Sequence, residues 1–217
     1  MEEMGHRSMH LAVPGAVAHL FHIQRALNQG GVDQAWLSPD FHRELADWKV
    51  LALQAAFQPM HLAEIVRREP THLGCCDASG LGAGGVWLDP ARTGQHLVWR
   101  LPWPPDIVAN LVSSTNPQGK ITSSDLELAA LVLQEATLLE AVPKASMAAP
   151  RSCPDNTPSV SWSTHEASMI NLVVADLLCI HMLHSRKFFL NPSVFYHPGQ
   201  ENCMADDASL LFRYLTQ

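Results

Sequence analysis

Leu73-Gly74-Cys75-Cys76-Asp77-Ala78-Ser79-Gly80-Leu81-Gly82-Ala83-Gly84-Gly85-Val86 decides how the rest of the chain is read. Its first half belongs to an apolar run from Thr71 to Asp77. Ser79 to Gly82 is a turn, and an apolar run resumes from Gly84 to Leu88. Two apolar runs of strand length about a Gly/Ser-rich turn spell a hairpin. Within the first strand, Cys75 and Cys76 read as small buried hydrophobes.

Downstream, His96 to Leu101 alternates as a third strand and Pro102 to Pro105 breaks it. Asp106 to Ser113 reads as a short helix, Thr122 to Val142 as the strongest helix of the chain, and Pro143 to Pro158 as proline-rich and irregular. Met169 to Phe188 is another long helix. Pro192 to His197 is one more strand, Pro198-Gly199 a turn, and Asn202 to Leu215 a closing helix. Upstream, Gly15 to Asn28 has amphipathic spacing at Val17, Leu20, Phe21, Ile23 and Leu27, and Gly30-Gly31 stops it. Ser38-Pro39-Asp40 opens a second helix with a cap, a first-position proline and a first-turn acid. It runs to about Gln58, with Leu45, Trp48, Leu51 and Leu53 supplying apolar contacts, and a short segment from His61 to Arg68 follows. The expected organisation is a helical extension over residues 1–70 and a mixed α/β domain over residues 71–217.

Composition bounds the function. Of 217 residues 47% are hydrophobic and 16% charged, which excludes a disordered chain. The formal net charge of −7 argues against a free-standing nucleic-acid binder, because neutralising phosphates drives most of such affinity. If this chain handles nucleic acid, its basic groups are clustered or a neighbouring domain supplies the grip. The acidic start, Met1-Glu2-Glu3-Met4, is unlike a signal peptide. The longest apolar run, Leu172 to Leu183, is interrupted by Asp176 and falls short of the roughly 20 residues that span a bilayer. Five cysteines with no C-x-x-C pair suggest reduced thiols in an intracellular compartment.

Four acids occupy telling places: Asp77 at a strand end, Glu127 early in the long helix, Asp155 in Pro154-Asp155-Asn156-Thr157, and Asp206 in Met204-Ala205-Asp206-Asp207. Acids gathered from a strand end and several helices can hold two Mg²⁺ ions through oxygen ligands. Such a pair activates a water for phosphodiester cleavage. Each acid also has a local reading. Asp77 could start the turn. Glu127 completes a Ser-x-x-Glu capping box with Ser124. Asp155 could cap a short helix. Asp206 and Asp207 suit the first turn of a helix.

Taken in order, with their flanks, the four acids resemble the ribonuclease H domain joined to reverse transcriptases of retroelement polyproteins. Cys76-Asp77-Ala78-Ser79 before Gly82-Ala83-Gly84-Gly85-Val86 is similar to that family's first hairpin. Ile121-Thr122-Ser123-Ser124-Asp125-Leu126-Glu127 resembles its glutamate-bearing helix, and Asp155-Asn156-Thr157-Pro158-Ser159-Val160-Ser161-Trp162 its third acidic block. His197-Pro198-Gly199-Gln200-Glu201-Asn202-Cys203-Met204-Ala205-Asp206 resembles its closing signature. The resemblance covers about Thr71 to Phe212. Residues 9–27 look like the segment joining a polymerase thumb to this domain.

The resemblance implies an RNase H-like fold with a five-stranded mixed sheet, and a metal-dependent endonuclease that cuts the RNA strand of RNA–DNA hybrids. Asp77, Glu127, Asp155 and Asp206 would be its catalytic metal ligands, holding two Mg²⁺ ions with Mn²⁺ as substitute. Ser79 and Asn156 would lie against the substrate. The polymerase palm does not occur in these residues, so a polymerase domain elsewhere is the implied partner and no membrane is involved.

Two departures from the family pattern favour an alternative, a catalytically silent fold serving as a structural or partner-binding module. Pro150 and Pro154 interrupt the apolar strand expected before Asp155. Leu210 stands where the family often has arginine. Among other candidates, His181 and His184 read as surface or core histidines, and His197, just before the turn, could assist product release as a histidine does in some relatives of the family it resembles. Trp87, Trp99, Trp103 and Trp162 read as core. Arg67-Arg68 and Arg186-Lys187 are the best local phosphate contacts, although each pair reads first as a solvated face.

Overall fold

The computed structural model describes residues 18, 20–28, 37–57, 66, 68–88, 96–142, 147–165 and 171–210. Most of the short segment read at 61–68, the start of the first helix and of the helix read from 169, and the helix end read at 211–215 lie outside the described residues.

Two helices precede the sheet: α1 (Phe21–Asn28) and α2 (Pro39–Phe57). The start of α2 is as its sequence predicts, with the Ser38 hydroxyl accepting from the Phe41 N–H at 3.1 Å. A remote carboxylate fixes α1 against it. Buried Glu44 of α2 accepts from the backbone N–H groups of His22 and Ile23 at 2.8 and 2.9 Å, filling donors that the first turn of a helix leaves open. Of the apolar contacts expected from α2, Leu51 is buried but Leu45 and Leu53 are exposed. Helical spacing alone does not tell which face meets a partner.

The strands are β1 (His72–Ala78), β2 (Gly82–Leu88), β3 (Leu97–Pro102), β4 (Pro150–Cys153) and β5 (Ser193–Val194). They form one sheet in the order β3-β2-β1-β4-β5. The first three are antiparallel meander neighbours, with Asp77 opposite Gly84 in the hairpin, while β4 is parallel to β1 and β5 parallel to β4. The proline-rich stretch read as irregular therefore contains a strand. It survives because Pro150 is its first residue and Pro154 lies just past its last, where no ladder donor is needed. The strand read over Pro192 to His197 is only two residues long.

The remaining helices are α3 (Pro105–Ala109), α4 (Ser123–Ala141), α5 (Thr157–His165), α6 (Leu172–Lys187) and α7 (Cys203–Leu210). α4 is buried nearly all round, as a helix between layers must be. It packs on β1 and β2 and is covered by α5 and α6, while α7 packs on the opposite face of β1, β2 and β3. Gln134 of α4, fully buried, locks helix to sheet: its amide donates to the Val86 carbonyl at 3.1 Å and accepts from the Trp99 indole N–H. Trp87 donates to the Gln134 carbonyl at 2.8 Å, so both tryptophans are core residues as read. The sheet and α7 approach closely only because of glycine. A Cβ on Gly84 would stand 2.6 Å from the backbone of Ala208 and Ser209 in α7.

Candidate active site

The chain leaves β1 toward β2 on one side and returns as β4 on the other. The carboxyl ends of β1 and β4 therefore open a crevice at the point where strand order reverses, the usual place for a site in such sheets. Asp77 lies near the end of β1, and Asp155 just past the end of β4. Glu127 comes down from the first turns of α4, which packs across β1. The three side chains each bring a carboxylate oxygen within 4.8 Å of the others.

The local readings of Glu127 and Asp155 give way to neighbours. The capping box of α4 is Thr122 with Asp125: the Asp125 N–H donates to the Thr122 hydroxyl at 3.3 Å, and the Thr122 N–H to Asp125 Oδ2 at 2.7 Å. Ser124 and Glu127 do not form it. The cap of α5 is Asn156, whose Oδ1 accepts from the Ser159 N–H at 3.0 Å. Relieved of capping, Glu127 and Asp155 are both free to face the crevice.

Glu127 is 6% exposed. Its Oε1 accepts from the Ala78 N–H at 3.3 Å, but no donor reaches its buried Oε2. Burial, then the charges of Asp77 and Asp155, push its carboxyl up to about 9. Asp155 is raised by partial burial and by Asp77, with His197 opposing the shift. Asp206, in the first turn of α7, stands outside the three-oxygen group. Desolvation and then the charges of Asp77, Asp155 and Asp207 still raise it, which places it at the rim of the same field. Crowded acids with a donorless buried oxygen are the arrangement a hard cation relieves, so the donor set fits a divalent metal ion.

Other residues hold this arrangement. The Ser209 hydroxyl donates to Asp77 Oδ2, one helical turn beyond Asp206. Buried Asn202 donates from Nδ2 to the Cys76 carbonyl at 3.2 Å, tying the start of α7 to β1. Gly199 lets the turn after β5 lie against Asp155, since a Cβ there would stand 2.7 Å from Asp155 Oδ2. Ser79 is engaged inside the protein, its hydroxyl lying 3.0 Å from the Ser209 carbonyl and 3.1 Å from that of Gly82. Asn156 reaches the Ser124 hydroxyl with its Nδ2 at 3.4 Å. Sequence reading missed Ser209, although its i, i+3 spacing from Asp206 puts both on one helix face. It also missed Glu135, which lies fully buried beside His181, with Oε2 3.4 Å from Nδ1.

No protein-family model and no curated protein matches this sequence. Solved structures do. A ribonuclease H1 isolated from compost, solved with an RNA/DNA hybrid, is 15% identical with a TM-score of 0.49, over 64% of this chain and 93% of that one. The ribonuclease H1 of Halobacterium salinarum is 12% identical with a TM-score of 0.47, over 65% and 98%. The prototype foamy virus protease-reverse transcriptase is 8% identical with a TM-score of 0.39, over 85% of this chain and 22% of that one. The order β3-β2-β1-β4-β5, antiparallel in its first half and parallel in its second with helices on both faces, is the ribonuclease H-like fold.

Proposed function

We propose that this chain is a metal-dependent endonuclease that cuts the RNA strand of RNA–DNA hybrids, within a retroelement-derived polyprotein. One observation carries the reading: three carboxylates from β1, α4 and the turn after β4 converge within 4.8 Å around a buried oxygen that has no donor. Hard oxygen donors of this kind suit Mg²⁺, with Mn²⁺ as substitute. Asp77, Glu127 and Asp155 would hold the metal, with Asp206 completing the set from the rim. A pair of such ions supplies an activated water and a stabilised leaving oxygen.

The chain's own residues do the rest. Ser209 fixes the Asp77 carboxylate in one orientation. Glu127 gives up its proton when the site is loaded and then contributes a full charge. His197, close enough to Asp155 to influence it, would assist departure of the cut strand. The Asn156 amide, its Oδ1 kept in the cap of α5, would offer the substrate its Nδ2, whose bond to Ser124 is long, and Ser79 would lie against the substrate beside Asp77. The hybrid would be read by its shape and 2′-hydroxyls rather than its sequence. In this reading α1 and α2 belong to the segment that follows a polymerase. The polymerase supplies the basic grip that a chain of net charge −7 lacks. The setting would be intracellular, where the five free cysteines stay reduced. No helix among the described residues is long and apolar enough to cross a membrane.

The test is cleavage of labelled RNA–DNA hybrid with Mg²⁺ or Mn²⁺. Wild type should cut RNA internally and spare DNA. Asp77→Asn keeps the side-chain shape but loses the charge, so it should abolish cleavage while hybrid binding persists. The net charge of −7 favours one rival, a silent fold that serves a protein partner. Equal inertness of both proteins, each shown to be folded, would establish it.

A further inference from the structure

Along β4 and β5 a cleft of about 570 Å³, lined by none of the four acids, opens between the short edge strand and the helices α5 and α6. Three arginines line it: Arg68 before β1, Arg151 on β4 and Arg186 in the last turn of α6. Among the described residues none of the three has a carboxylate partner. Arg151 lies over the Phe195 ring at 4.5 Å and Arg68 donates to the Met147 carbonyl at 2.8 Å, so both are held in place. The Nε atoms of both are nevertheless buried without an acceptor. The Ser185 hydroxyl, 7% exposed and on the cleft wall, also lacks a partner.

The acidic groups nearby do not cancel this charge. Glu69 lines the cleft but is exposed to water. Burial pushes the Glu135 carboxyl up and holds the His181 imidazole down, and the two face each other at 3.4 Å, so a lone charge is disfavoured at this pair. In a chain with an excess of acids, three guanidiniums without an ion-pair partner, set against one exposed carboxylate, make a cleft that calls for an anion.

We infer that this cleft binds a phosphate-bearing compound of nucleotide size. Guanidinium forks match phosphate oxygens in paired hydrogen bonds, and the Ser185 hydroxyl adds a neutral donor. The volume falls within the roughly 300–1,000 Å³ of small-molecule sites. The phosphate could come from a free nucleotide or from the end of a nucleic-acid strand. The inference does not rest on the nuclease reading, because it uses none of the four acids.

Calorimetric titration of the whole chain with ADP, in EDTA so that the acidic site takes no metal, tests it. We expect saturable binding of one ADP per chain, weakened about tenfold or more in Arg151→Gln and in Arg186→Gln. It should be only partly recovered in Arg186→Lys, which restores charge without the fork, and unchanged in Asp77→Asn. Circular dichroism confirms that each variant is folded. A 5′-phosphorylated oligonucleotide that competes with ADP, where its unphosphorylated twin does not, assigns the site to strand ends; failure of both to compete assigns it to the free compound. No binding of ADP at millimolar concentration overturns the inference. So does binding that citrate displaces equally well, or that both arginine variants retain.

Discussion

The raised carboxyl of Glu127 makes a prediction whose size follows from counting protons. In the folded protein this group titrates near 9, against an ordinary value of 4.5, through burial first and then the charges of Asp77 and Asp155. Between those two pH values the folded chain carries one more proton than the unfolded chain. Stability from this group is fully present below 4.5 and is lost as pH rises toward 9, at about 1.4 kcal/mol per pH unit. Glu127→Gln removes the titration while keeping the shape and the acceptor for the Ala78 N–H. In EDTA, the stability of the variant relative to wild type should therefore grow by about 2.7 kcal/mol from pH 5.5 to 7.5. For a chain of this length that amounts to roughly 5–11 °C in melting temperature. Glu135 and His181 titrate in both proteins and cancel. Urea unfolding followed by tryptophan fluorescence at several pH values measures the difference. Parallel stability curves for the two proteins would refute the claim that Glu127 is held protonated by burial and by its acidic neighbours.

The same site predicts that millimolar Mg²⁺ raises the melting temperature of wild type, increasingly so as pH rises, because metal replaces the Glu127 proton. A melt that is flat in Mg²⁺ and Mn²⁺ would leave the acids without a metal role. Gln134→Leu should cost about 2–4 kcal/mol in urea unfolding, since it strands the buried Trp99 N–H and Val86 carbonyl. A loss under 1 kcal/mol would mean that water replaces the amide. Gly84→Ala should push α7 off the sheet, costing about 1–3 kcal/mol. Because it displaces Ser209 and Asp206 together, hybrid cleavage should fall further than stability does.

Several features were legible in the sequence because their causes are local. The hairpin follows from apolar runs about a Gly/Ser turn, and α4 from a long apolar stretch between Thr122 and Val142. The start of α2 follows from Ser38-Pro39-Asp40. Asp77, Glu127 and Asp155, chosen from their flanks, are the three acids that the fold brings together. Other features depended on packing between distant segments. Whether β4 could form beside two prolines turned on where its ladder bonds fall, which the parallel pairing with β1 decides. Whether Glu127 and Asp155 were caps or site residues turned on Thr122, Asp125 and Asn156 taking the capping roles. The hydroxyl of Ser209 meets Asp77 across 132 residues of chain, and Glu135 meets His181 between two packed helices. Local spacing carries hydrophobic period and turn chemistry, so it yields the elements and the acids. The burial that raises Glu127, and the gathering of three lone arginines around one cleft, arise only when the layers close on one another.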